Sequence, residues 1–73
     1  MTENMTYMER FAAELRSRRG FLDLSQDELS KRSDVNSRSI SQYENETCAP
    51  TLESIAKLAR ALGCTPNDLL GWK

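Results

Sequence analysis

Seventy-three residues, with 10 Lys and Arg against 11 Asp and Glu for a net charge of −1, leave room for one domain and lack the basic excess of a protein that binds nucleic acid without regard to sequence. The hydrophobic share of 38% supplies one small core, and a chain this short relies on short loops, good caps or a partner subunit. No apolar run can span a bilayer and the opening "MTENMTYMER" lacks the apolar stretch of a secretory signal, so the cytoplasm is the expected location.

The pattern is helical throughout, because no segment keeps the strand period long enough to form a strand. Over 6–19, Met8, Phe11, Ala12 and Leu15 make one stripe, and Gly20 stands where a helix C-cap is expected. "FLDL" then leads to Ser25. Its hydroxyl can accept from the free amides of the next turn, and Glu28 completes a capping box. Asp27 and Glu28 also suit the positive end of the helix dipole. This short helix, running to 32, buries Leu29 with the small Ser30 beside it.

"SDVN" reads as a turn in which Asp34 tolerates a left-handed backbone, though less readily than Gly. Asn36 is a good N-cap for a helix over 37–45 that turns Ile40 and Tyr43 inward. Pro50 stops any continuation. Thr51 caps a fourth helix whose broad face holds Leu52, Ile55, Ala56, Leu58, Ala59 and Leu62, and Gly63 ends it. Thr65 and Pro66 open a last turn or two that buries Leu69 and Leu70. The sum is an all-α bundle of five short helices, with no repeat and no domain boundary.

Chemistry for catalysis is sparse. There is no His, no Gly-rich phosphate loop and no cluster of metal ligands, so neither an enzyme nor a cofactor is expected. Cys48 and Cys64 fall in loops, cannot complete a tetrahedral zinc site and are expected to stay reduced. What the sequence does concentrate is hydrogen-bonding capacity. In "SRSISQYENE", residues 37–46, Ile40 and Tyr43 keep helical spacing while Ser37, Arg38, Ser39, Ser41, Gln42 and Asn45 occupy the other faces. A solvated surface helix would also look this way; its place in "QDELSKRSDVNSRSISQYEN", a helix, a short turn and a helix, decides otherwise. Leu29 and Ile40 meet at the crossing, Val35 fills the base of the turn, and the second helix can enter a major groove. Seven of the ten cations precede Ser39, interleaved with acids, so any basic face must come from the fold.

In "LSQDEL" (24–29), Val35, "ISQYEN" (40–45), "PTLESI" (50–55), "LARALG" (58–63) and "TPNDLL" (65–70), the chain resembles the phage repressor and Cro type, or XRE-like, family of helix-turn-helix proteins. The resemblance implies a five-helix repressor-like bundle with a central helix-turn-helix, residues 1–73 forming a single DNA-binding domain with 1–5 as a flexible tail. It departs from the family at Ser33 and Asp34, where an apolar residue and Gly are frequent. It departs again at Glu46, Thr47 and Cys48, where Gly and basic residues are frequent. "GFLDLSQ" is about three residues longer than the usual link.

The resemblance further implies that Gln26 bonds a backbone phosphate, aided by free helix amides. Arg38 and Gln42 would read bases, Arg38 through guanine O6 and N7 and Gln42 through adenine. Ser37 and Ser41 would reach base or phosphate, Ser39 and Asn45 would anchor to the backbone, and the N-cap Asn36 is counted with the DNA-binding residues. Arg16 and Glu44 match positions that form a salt bridge between the first and third helices, while Arg18, Arg19, Lys31 and Arg32 read as surface charge. The expected function is a sequence-specific repressor acting as a homodimer on a palindromic operator, with Leu69, Leu70 and Trp72 as the candidate interface. With no sensor domain in the chain, a separate regulatory protein partner is left open. The alternative is an antitoxin-like or other protein-interaction module with weak or no DNA binding.

Overall fold

Every helix begins at a side chain able to hold its free amides. The computed structural model describes residues 6–71. Among them five helices follow in order, α1 Tyr7–Phe21, α2 Gln26–Ser33, α3 Ser37–Glu44, α4 Leu52–Leu62 and α5 Pro66–Leu70, and no strand. The expected all-α architecture is therefore present. The tail expected at 1–5 and the expected interface residue Trp72 lie outside the described residues.

Thr6, Ser25, Asn36, Thr51 and Thr65 are the N-caps, and each accepts from an amide of the following turn. Thr6 with Glu9, Ser25 with Glu28, and Thr65 with Asp68 close full capping boxes. In the second of these, the Ser25 N–H donates to Glu28 Oε1 at 2.8 Å and the Glu28 N–H to Ser25 Oγ at 3.0 Å. The bond from the Ser25 backbone, and next that from its hydroxyl, hold the Glu28 carboxyl below its ordinary 4.5. Thr65 does the same to Asp68, below 3.8. A carboxyl depressed in the folded state stabilises above its unfolded value and loses that contribution as pH falls through the folded one. The melting-temperature gap between wild type and Glu28→Ala is therefore expected at neutral pH and should shrink once pH drops below about 4.5; thermal scans from pH 7 to 3 check it.

The C-terminal ends differ from the sequence expectation. Gly20 does not stop α1. The helix passes through it to Phe21, and the left-handed residue is Asp23, φ 57. Leu24 N–H donates to the Arg19 carbonyl at 3.0 Å and Asp23 N–H to that of Gly20 at 3.0 Å, the paired closure of a Schellman motif. The end of α3 repeats it: Thr47 N–H reaches the Gln42 carbonyl at 2.9 Å, Glu46 N–H that of Tyr43 at 3.2 Å, and Glu46 takes φ 61. Asp34, φ 62, ends α2, as its expected tolerance for this conformation allows. A left-handed Glu carries a Cβ penalty that Gly avoids, partly offset by Gly's greater freedom when unfolded. Glu46→Gly is expected to stabilise by about 0.5–1 kcal/mol, a rise of roughly 3–6 °C in melting temperature.

Phe11, Leu15, Leu29, Ile40, Leu58 and Leu69 are fully buried and form the centre of the core. Phe11 meets the Tyr43 ring edge-on at 5.9 Å, joining α1 to α3. The Tyr43 hydroxyl donates to Ser54 Oγ at 3.1 Å, joining α3 to the start of α4. Two residues expected on the inner face of α4 are outside: Leu52 is 86% exposed and Ala56 is exposed. The buried stripe is Ile55, Leu58, Ala59 and Leu62. At 100° per residue Leu52 sits roughly 70° and Ala56 roughly 110° round from its centre, beyond the reach of any neighbour. Met8, expected inward on α1, is only half-buried.

Leu69 also corrects an expectation. Its side chain is sealed in the chain's own core, where α5 packs on α1 and α4, so it cannot also serve as a subunit contact. Leu70 is half-buried and packs against the same core.

Candidate nucleic-acid interface

α2 and α3 are fixed to each other by Leu29 and Ile40, both fully buried, and by Val35, 5% exposed at the turn between them. Ser33 stands where an apolar residue would pack, yet it is buried, because its hydroxyl accepts from the Val35 N–H at 3.2 Å. The polar atom is thereby satisfied inside the turn. Asn36 caps α3: its Oδ1 accepts from the Arg38 N–H at 2.8 Å, and its carbonyl from the Ile40 N–H at 3.0 Å.

With Ile40, Tyr43 and Glu44 turned inward, the opposite side of α3 faces solvent. Arg38, Gln42 and Asn45 are exposed, at the i, i+4, i+7 spacing of one stripe, and Ser37, Ser39 and Ser41 flank them half-buried. Asn45 Nδ2 lies 3.5 Å from Ser41 Oγ, at the outer limit of a hydrogen bond. The five guanidinium donors of Arg38 and the donor and acceptor of the Gln42 amide are thus presented to solvent from a short rod anchored at both ends. The other expected members, Gln26 and Asn36, lie at the rim: Asn36 is exposed at the start of α3 and Gln26 half-buried at the start of α2.

The inner end of α3 carries a charge network that the sequence placed on the wrong arginine. Glu44, 4% exposed, accepts from Arg19 Nε at 2.7 Å and Arg19 Nη2 at 3.0 Å, a bidentate pair, and from Gln26 Nε2 at 3.0 Å. Arg19 Nη1 also donates to the Leu24 carbonyl at 2.9 Å. The hydrogen bonds it donates to Glu44 raise the Arg19 guanidinium above its ordinary value, against a smaller opposing effect of burial. Arg16, the expected partner, is exposed. α1 runs on through Gly20 to Phe21, and Arg19, in its last turn, is the residue that meets Glu44. Counting back from Gln26 rather than forward from the chain start would have found it.

Gln26 is consequently not free: one amide hydrogen is held by Glu44, and its carbonyl and second hydrogen remain. The same bond ties the first turn of α2 to the last turn of α3, so the rim residues Gln26 and Asn45 stand at one corner of the two-helix unit.

Among the described residues no group of three or more His, Cys, Asp or Glu is placed to hold a metal ion. Cys48 is exposed and Cys64 half-buried, both as free thiols. Burial raises the Cys64 thiol above its ordinary value, with Arg18 pulling weakly the other way. No helix among the described residues is long and apolar enough to cross a membrane.

Comparison with known proteins agrees with this geometry. A family profile described as helix-turn-helix matches residues 15–69. The chain is also similar to the P22 c2 repressor protein, solved in complex with a synthetic operator, at 33% identity over 96% of this chain and 100% of that one, with a TM-score of 0.77. No curated protein matches the chain.

Proposed function

The chain belongs to the helix-turn-helix family, and from that premise we propose that it is a sequence-specific DNA-binding transcriptional repressor that lays α3 in the major groove. The observation that carries this reading is the solvent-facing stripe of Arg38 and Gln42 on a helix whose other side is locked into the core. The similarity to a repressor solved on operator DNA supports it.

In this reading Arg38 takes guanine O6 and N7, Gln42 takes adenine N6 and N7, and Ser37 and Ser41 fill in beside them. Gln26, with Asn36, Ser39 and Asn45, fixes the register against the phosphates. The protein acts as a homodimer, because one short helix reads few base pairs and a symmetric pair doubles them. Its two copies meet half-sites of a palindromic operator about 34–36 Å apart. It works in the cytoplasm and has no catalytic role.

Selection of binding sites from random duplexes, read by sequencing, tests the proposal. A symmetric consensus with half-sites one helical turn apart is the expected result. Enrichment of no sequence would reject specific DNA binding and favour a protein-interaction module.

A further inference from the structure

The corner where Gln26 meets Glu44 is where the proposed phosphate anchors stand, and it is lined with the wrong charge for phosphate. Asp27 follows Gln26 and is exposed; Glu46 follows Asn45 and is exposed. Adjacent Cα atoms are about 3.8 Å apart, so each anchor has an exposed acidic residue next to it in the chain. Arg19, which reaches this corner, is bonded to Glu44 through two nitrogens. Asp27 differs here from its neighbour Glu28, whose carboxylate is tied back to the Ser25 backbone. Glu46 also sits at φ 61, where Gly would be relaxed. The opposite end of α3 carries Arg38. The face is thus attractive to DNA where bases are read and repulsive where the backbone is gripped.

We propose that Asp27 and Glu46 oppose the phosphate backbone and so lower the sequence-independent part of DNA affinity, leaving occupancy to the base contacts of Arg38 and Gln42. This rests on the DNA-binding reading above and adds to it a setting of binding strength. Because the phosphates are the same in every duplex, the two carboxylates weaken operator and random DNA alike. A carboxylate within one side-chain length of a phosphate, partly screened by salt, costs roughly threefold in affinity at about 0.1 M ionic strength.

The test uses the full chain and two duplexes, the selected operator and a scrambled one of equal length, titrated by fluorescence anisotropy from 50 to 200 mM salt. The double variant Asp27→Asn/Glu46→Gln is expected to bind both duplexes about tenfold more tightly, with the operator-to-scrambled ratio changed less than twofold. Glu46→Lys is expected to steepen the slope of log K against log salt by about 0.9, one more phosphate neutralised. Glu46→Gly serves as a second neutral variant free of left-handed strain, so a gain shared with Glu46→Gln is a charge effect. Unchanged affinity for both duplexes in all variants would overturn the proposal while leaving operator recognition standing. A changed ratio at constant scrambled-duplex affinity would also overturn it, making these residues base readers. Binding by the double variant where wild type binds nothing would support it. Binding by neither protein at 50 mM salt would overturn this proposal and the DNA-binding reading together.

Discussion

Arg38→Ala and Gln42→Ala are each expected to weaken operator binding by about 5- to 150-fold, the equivalent of the roughly 1–3 kcal/mol carried by one bidentate base contact. Both side chains are exposed and neither contributes to the core, so circular dichroism and melting temperature should hardly move. The two variants should differ on a scrambled duplex. Gln42→Ala removes no charge and should leave scrambled-duplex affinity nearly unchanged, whereas Arg38→Ala also loses a cation near the phosphates and should weaken it slightly. A mobility-shift titration on both duplexes separates these outcomes. Operator affinity unchanged in both variants would remove α3 as the reading element.

The largest expected effect on stability is at Glu44. Glu44→Ala leaves Arg19, whose side chain is 22% exposed, without its bidentate partner, and leaves Gln26 without an acceptor. Loss of one member of a buried pair costs about 3–5 kcal/mol when the survivor is sealed from water; Arg19 can recover part of its hydration, so about 2–4 kcal/mol is expected. For a domain of this size total stability is on the order of 4–11 kcal/mol, so the variant should melt roughly 10–25 °C lower. Chemical denaturation of Arg19→Met/Glu44→Leu distinguishes pairing from packing. If the unpaired charge causes the loss, removing both should recover much of it. No recovery would point to the shape of the α1–α3 contact instead. The intact pair also positions Gln26, so Glu44→Gln should weaken operator binding modestly even where the fold survives.

The arginine at this bridge shows where sequence reasoning reached its limit. Which glutamate is buried follows from the α3 pattern, since Ile40, Tyr43 and Glu44 share a face at helical spacing. Which arginine meets it depends on how the residues between Arg16 and Ser25 are divided between a helix and a loop. Composition left that open, because Gly20 looked like a stop and Asp23 did not. The extra turn was helical because Asp23 accepts the left-handed role, and the hydrogen bonds of Leu24 and Asp23 to Arg19 and Gly20 close the end.

Similar reasoning separates the rest. The N-caps Ser25, Asn36, Thr51 and Thr65, the turn at Asp34, the meeting of Leu29 with Ile40 and the outward stripe of Arg38 and Gln42 were written in local spacing. Each depends on forces acting within about one helical turn. The box at Thr6 is equally local, with Glu9 in place three residues on. What only the tertiary structure decided was contact between elements distant in the chain: Arg19 rather than Arg16 on Glu44, Gln26 held rather than free, Leu69 sealed inside, Leu52 left in water. A helix pattern fixes a direction around its own axis, while burial requires a second surface to arrive there, and that depends on the lengths and exits of the other four helices.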